Sequence, residues 1–326
     1  MKRGNFVISL DFEIYWGVRD VLRLDQYKNH LLGVRAVIPG LLQLFSAYNI
    51  HATFATVGFL FFKDKDELLT GLPRLEPGYT DKHLSPYEGH FDEVGKNEVE
   101  DPFHFAPSLI KMIVDSGQEV GCQTFSHYYC LEGGQTIAEF REDIKAAKKI
   151  AAKWDLELKS FVFPRNQYKE EYLEICMESG ITSFRGNEPS WLYKAKNGES
   201  ETYLRRAIRL MDAYVNLSGH HCSDPGLLQY KGLYNIPASR FLRPYSKRSS
   251  FLDGLRLQRI ANSMTYAAKH GLTYHLWWHP HNFGINLREN LDFLEKILNH
   301  YRELSVKYGF RSVGMDQLAE LLKAGQ

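Results

Sequence analysis
Short apolar runs of β type alternate with longer helical patterns through the whole of this 326-residue chain. The runs fall at residues 6–10, 52–57, 119–122, 160–163, 182–184, 234–236, 272–278 and, more weakly, 310–313. Helical patterns lie between them at 31–48, 106–115, 137–154, 170–178, 252–269, 288–308 and 315–322, and Pro39 is expected to break the first. Such alternation predicts a parallel sheet, closed or nearly closed, with helices outside it. Seven or eight units over about 300 residues suit a barrel better than an open doubly wound sheet. No glycine fingerprint follows the first run, which argues against a dinucleotide-binding fold. A single barrel domain over 1–326 is therefore expected, with polar, irregular insertions at about 62–104 and 186–229. Both insertions follow strands, so both should overhang the face where the strands of a parallel barrel end.

Charge excludes some partners. Forty Lys+Arg stand against 39 Asp+Glu, so nothing in the bulk charge points to nucleic acid or an anionic membrane. Lys145, Lys148 and Lys149 cluster as the solvated face of a helix. The apolar stretch at the N-terminus is too short for a signal peptide, and no run reaches the roughly 20 apolar residues of a spanning helix. Cys122, Cys130, Cys176 and Cys222 have no CxxC spacing and read as reduced, buried thiols of a cytoplasmic protein. Nothing in the composition sets an oligomeric state.

The residues that carry chemistry lie at the ends of these runs. Asp11 and Glu13 close the first, two apart and so on one face, where one carboxylate can bind a metal while the other takes a proton. His127 follows the third run beside Tyr128 and Tyr129, with Gln123 four residues before it. Arg165, in Phe163-Pro164-Arg165-Asn166-Gln167, can orient a carboxylate, bind an anionic group or form a surface ion pair. By period two, His275, Trp277, His279 and His281 share a face, but Pro280 should end the strand and leave His279 at its edge. His220 and His221 read as exposed or as lid contacts. Tyr15, Trp16, Tyr128, Tyr129, Trp191 and Trp278 offer ring surfaces for a sugar, and core packing accounts for each of them equally well.

Taken in order, these segments resemble the polysaccharide deacetylase family, the NodB-homology or carbohydrate esterase family 4 group. Ser9-Leu10-Asp11-Phe12-Glu13 is similar to its first motif, in the form where the acids are spaced by one. Cys122-Gln123-Thr124-Phe125-Ser126-His127 resembles its metal motif, which normally carries a histidine pair four apart. The segment around Arg165 resembles its third motif, Trp278-His279-Pro280 its last, and Gly314-Met315-Asp316-Gln317-Leu318 the segment that often closes such chains. The resemblance implies a distorted (β/α)7 barrel and metal-assisted hydrolysis of a sugar acetamide. It implies Asp11 as general base, Arg165 as the cation that keeps it ionised, and His279 as general acid, with His281 as the alternative acid. It implies a divalent metal, zinc, on Glu13 and His127, with Gln123 in the third ligand slot. Trp16, Tyr128, Asn166, Trp278 and His281 are the expected substrate contacts. Gln123 departs from the family pattern, since an amide oxygen is a poorer zinc ligand than imidazole. Coordination by Gln123, a water in its place, a swing of His281 or an insertion residue, and loss of the metal all stay open. The implied substrate is a cytosolic N-acetylated sugar, nucleotide- or lipid-linked, used for a surface polysaccharide such as O-antigen or capsule. Hydrolysis of another C–N bond, in a ureide or formamide, and a carbohydrate-binding protein without catalysis are the alternatives.

Overall fold
The computed structural model describes residues 3–190, 192–193 and 203–325. Its strands are β1 (Asn5–Phe12), β2 (Ala52–Thr56), β3 (Glu119–Cys122), β4 (Ser160–Val162), β5 (Ser183–Arg185), β6 (Gln229–Tyr230), β7 (Leu233–Asn235), β8 (Arg240–Phe241), β9 (Thr273–Trp278) and β10 (Arg311–Ser312). The helices are α1 (Leu24–Tyr48), α2 (Lys65–Thr70), α3 (Pro107–Asp115), α4 (Ile137–Ala152), α5 (Glu170–Glu178), α6 (Tyr203–Asp212), α7 (Asp253–His270), α8 (Leu287–Tyr308) and α9 (Met315–Ala324).

The strands form one sheet in the order β6-β7-β5-β4-β3-β2-β1-β9-β8, with β10 beside β1. All pairs are parallel except β6 with β7. The segment 233–242 draws the two ends of this sheet together. Ile236 and Ala238 donate to Phe184 and Gly186 at the β5 side, while Ser239 and Leu242 donate to His275 and Trp277 on β9. With that segment as one stave beside β1, β2, β3, β4, β5 and β9, the barrel has the seven-fold, distorted form expected.

Alternation along the strands decides what faces the barrel axis. On β1, Phe6, Ile8 and Leu10 turn outward into the large helix-covered core, while Val7, Ser9 and Asp11 turn inward. The inward set is layered. At the bottom, Val7, Ala55, Val162 and Ile236 pack with Val313 and with Met315 and Leu318 of α9, an apolar plug. Above it lies a polar layer: His275 Nε2 meets Ser9 Oγ at 2.8 Å, and Ser9 accepts from Arg185. The ionisable groups of Asp11 and Glu13 come next, at the strand ends.

Two expectations need correction. Pro39 does not break the first helix; α1 runs unbroken through it. A proline inside a helix costs about 3 kcal/mol, and the buried row Leu31, Val34, Val37, Ile38, Leu41, Leu42 and Phe45 supplies more packing than that. The same helix is, by length and composition, apolar enough to cross a membrane, which the sequence reading did not expect. Here that apolar face lies against α3, α8 and the barrel.

Candidate active site
The site is built from five strand ends and the turns that follow them. Asp11 comes from β1, and both its oxygens accept from one guanidinium: Arg185 Nη1 to Oδ1 at 2.5 Å and Nη2 to Oδ2 at 2.8 Å. Arg185 ends β5, is fully buried, and lies over the Trp277 ring at 4.1 Å. Its Nη1 and Nη2 also donate to Ser9 Oγ and Asn166 Oδ1, each at 3.0 Å. Burial alone would raise the Asp11 carboxyl. The charge and hydrogen bonds of Arg185, helped by His279 and His127, outweigh it and hold Asp11 below the usual carboxylate range.

Glu13 lies one turn of backbone further, past the strand end, and has no arginine. Burial, reinforced by the Asp11 charge, pushes its carboxyl up to about 7 against the pull of His279. Three nitrogen atoms gather at its edge. Gln123 Nε2 donates to Oε2 at 2.9 Å, His127 Nε2 lies 3.1 Å from the same oxygen, and His279 Nε2 lies 3.5 Å from Oε1. His279 also lies 3.7 Å from Asp11 Oδ2 and is about a quarter exposed, at 23%. Burial drives His127 down to about 3, so its imidazole is neutral in the contact with Glu13.

The backbone around these groups is strained and tightly held. Ile14, Thr124 and His127 have φ of 47°, 64° and 60°, each costing roughly 1–3 kcal/mol for a residue with a Cβ. Asp143 of α4 anchors the loop that carries His127, accepting from the Phe125 and Ser126 amides at 2.6 and 3.1 Å and from Ser126 Oγ at 2.5 Å. Gly17 leaves room for Glu13, because a Cβ there would stand 2.0 Å from the Glu13 Cδ.

The donors fit a divalent cation. Tyr129 Oη donates to Asp20, so it accepts from His127 Nδ1 at 3.1 Å, which leaves the Nε2 lone pair facing Glu13. Two lone pairs facing each other require a proton or a cation between them. Their 3.1 Å separation is close to the roughly 3.3 Å between two ligands of a tetrahedral ion with bonds of about 2 Å. The Gln123 Oε1 is buried with no partner, so the amide can turn over to present oxygen where it now presents nitrogen. Asp11, Glu13 and His279 also form a compact group of potential ligand atoms, all within 4.8 Å of one another.

The polysaccharide deacetylase family matches residues 25–184. This chain carries a polysaccharide deacetylase domain. The matched span holds Gln123, His127 and Arg165, while Asp11, Glu13 and His279 reach the site from outside it. Members of the family are hydrolases of carbon–nitrogen bonds other than peptide bonds, and the chain is such an enzyme. No curated protein matches the chain. Among solved structures, a Mycobacterium smegmatis protein assigned as a polysaccharide deacetylase is 14% identical, with TM-score 0.63 over 99% of this chain and 91% of its own. A Pseudomonas aeruginosa PAO1 protein assigned in the same way is 10% identical, with TM-score 0.53 over 98% and 89%. A GH57-type branching enzyme from Pyrococcus horikoshii is 11% identical, with TM-score 0.55 over 99% and 70%. Identities this low show a shared fold.

The deacetylase site differs from the sequence reading at several residues. Arg165 does not hold Asp11. It pairs with Asp20 and Glu132 and lies over the Tyr129 ring at 4.1 Å, while Arg185 takes the place expected of it. Four of the five expected substrate contacts are sealed. Trp16, Tyr128 and Trp278 are at most 1% exposed, and His281 is 4% exposed, so none presents a face to a sugar. Trp278 points outward by strand alternation, Trp16 donates to the His104 carbonyl, and Tyr128 donates beneath α4. Asn166 is half-buried and serves Arg185. Tyr15 and Tyr129 are likewise buried, and Trp191 lies outside the described residues. The half-exposed rings near the site are Trp277 and Phe241, with centroids 5.6 and 6.0 Å from His279. His220 and His221 are tied to Ser263 and to the Ser218 carbonyl, away from the site.

Arg185, Asp143 and Gly17 were missed. Arg185 had a signal: it stands in phase with Ser183, on the inward face of its strand. Asp143 had one too, an acid on the apolar side of α4 between Phe140 and Ile144. Gly17 had none.

Proposed function
We propose that this deacetylase removes the acetyl group from an N-acetylated sugar, with a divalent metal held by Glu13, His127 and the Gln123 amide oxygen. The observation that carries the reading is the convergence of Glu13, His127 and Gln123 on one point, with Asp11 and His279 beside them. The bound ion supplies Lewis-acid polarisation of the acetyl carbonyl near neutral pH. Asp11, kept ionised by Arg185, accepts the proton of the attacking water. That pairing also makes Asp11 a weak base, so the proton does not stay on it. It passes to His279 Nε2, 3.7 Å away on a side chain that is 23% exposed, and from there to the departing amine. Trp277 and Phe241 give the sugar a half-exposed aromatic wall beside His279.

The substrate we favour is a nucleotide- or lipid-linked N-acetylated sugar used in surface polysaccharide assembly in the cytoplasm. Four unpaired thiols fit a reducing compartment. The test is release of acetate from nucleotide-linked N-acetyl sugars by the zinc-loaded protein. Wild type should release it, and Asp11→Asn should fall by at least about 100-fold, the usual scale of a lost general base. Formate or ammonia release from other C–N substrates, with no acetate, would move the activity to another bond. Sugar binding that survives both chelation and Asp11→Asn, without turnover, would make the chain a binding protein.

A further inference from the structure
Arg165 and Tyr129 lie next to the site, yet neither touches Asp11 or a substrate face. A continuous chain joins them to His127. Tyr129 Oη is 3.1 Å from His127 Nδ1 and 3.1 Å from Asp20 Oδ2. Asp20 is paired with Arg165, whose guanidinium covers the Tyr129 ring at 4.1 Å and also meets Glu132 Oε1 at 3.3 Å. Gln167 Nε2 holds that Glu132 oxygen at 3.1 Å. The direction of each hydrogen bond follows from the charges. Asp20 is a carboxylate beside a guanidinium, so the phenol proton goes to Asp20. The phenol oxygen then has only lone pairs to offer, so His127 Nδ1 must carry the ring proton.

We infer that Tyr129, set by the Asp20–Arg165 pair, is a positioning residue that locks His127 in the Nδ1–H tautomer and turns its Nε2 lone pair toward Glu13. Neutral imidazole in solution carries its proton on either nitrogen. A ring with Nε2–H would point a donor at Glu13 and present nothing to a cation. Outer-shell partners of this kind fix ring orientation and typically change metal affinity 10- to 100-fold when removed. The tautomer does not depend on a metal being present; its consequence for affinity rests on the metal-holding reading proposed above. The sequence disguised the chain, because Asp20 and Tyr129 are 109 residues apart and Arg165 lies in a third loop.

The experiment uses the full chain, wild type and Tyr129→Phe, which keeps the ring under Arg165 and removes only the hydroxyl. Two quantities are read: the protonated nitrogen of His127 by ¹⁵N-correlated NMR of the chelator-treated protein, and the dissociation constant for Zn²⁺ or Co²⁺. Wild type should show Nδ1–H, and Tyr129→Phe should shift His127 toward Nε2–H while binding the ion roughly 10- to 100-fold more weakly. Nε2–H in wild type, or an unchanged dissociation constant in the variant, overturns the inference. If wild type shows Nδ1–H, Tyr129→Phe changes the tautomer, and neither binds an ion, the metal reading fails and the positioning role stands. Should Tyr129→Phe not fold, Asp20→Asn weakens the acceptor of the phenol proton, and the same two readings decide.

Discussion

Asp11 and Glu13 share a strand end and nearly complete burial, yet their environments push them in opposite directions. Arg185 makes the difference: its two hydrogen bonds reach Asp11 and none reaches Glu13. Pairs of titratable groups driven apart in this way are how one site obtains both a charged and a proton-bearing carboxyl. Arg185→Met removes the main group that opposes burial at Asp11. The acid limb of the kcat/KM profile should then move to higher pH, because Asp11 must lose its proton to act. Stability should fall by about 3–5 kcal/mol, the scale for one orphaned partner of a buried pair. Arg165→Met, which strands no ion at Asp11, leaves that limb where it is. A pH–rate series with denaturant unfolding of the two variants checks both statements.

Among the elements, α4 does more than cover the barrel. Thr136 and Glu139 form a capping box at its start, and Phe140, Ile144 and Ala147 face the core, while Asp143 on that same side reaches out to the His127 loop. Burial pushes the Asp143 carboxyl up to about 6, a cost its three hydrogen bonds only partly offset. Asp143→Ala should lower stability by about 2–3 kcal/mol through two stranded amides. It should also weaken metal uptake, because Thr124 and His127 relax from positive φ once the anchor goes; calorimetry on the variant with and without Zn²⁺ separates the two losses. The strands were legible in the sequence because β-branched and aromatic residues alternate with turn residues; β3 and α5 match their expected bounds. Period-two reading also placed His275, Trp277 and His279 on one face, and the structure keeps them there, with Trp278 opposite. The two-residue strand β8 and the six-residue helix α2 were not legible, since two to six residues carry too little periodicity to register. The choice of Arg185 over Arg165 was not legible either. Which of two cations reaches Asp11 depends on barrel closure, a long-range property that local pattern does not carry.

The whole molecule carries an uncommon load of buried titratable groups, and they act against one another. His90, His127 and His275 are each driven by burial to about 3. They stay neutral in the fold, so their contribution is present above pH 6.5 and is lost as pH falls from there toward 3. Glu13, Glu119 and Asp143 are raised by burial to about 7, 8 and 6. Their contribution is full at low pH and is lost as pH rises through those values. Between about pH 4.5 and 6.5 the two sets oppose each other. Burial also lowers His30, His220, His221 and His281 and raises Glu76 and Glu188. Below that window the lowered histidines act together with the lowered Asp11, Asp101 and Asp212, and above it the raised carboxyls dominate. The melting temperature of the chelator-treated protein should fall below about pH 4.5 and again above about pH 6.5. A steady rise from pH 5 to 8 would contradict this balance.

Deacetylation by the proposed route depends on a divalent ion held by Glu13, His127 and Gln123 beside Asp11 and His279. Elemental analysis of protein purified without chelators, before and after reconstitution with Zn²⁺, tests it most directly. About one ion per chain is expected, with its loss in Glu13→Gln and tighter binding in Gln123→His, which places imidazole at the third donor. No ion in the wild type even after reconstitution, with binding only in Gln123→His, would contradict it.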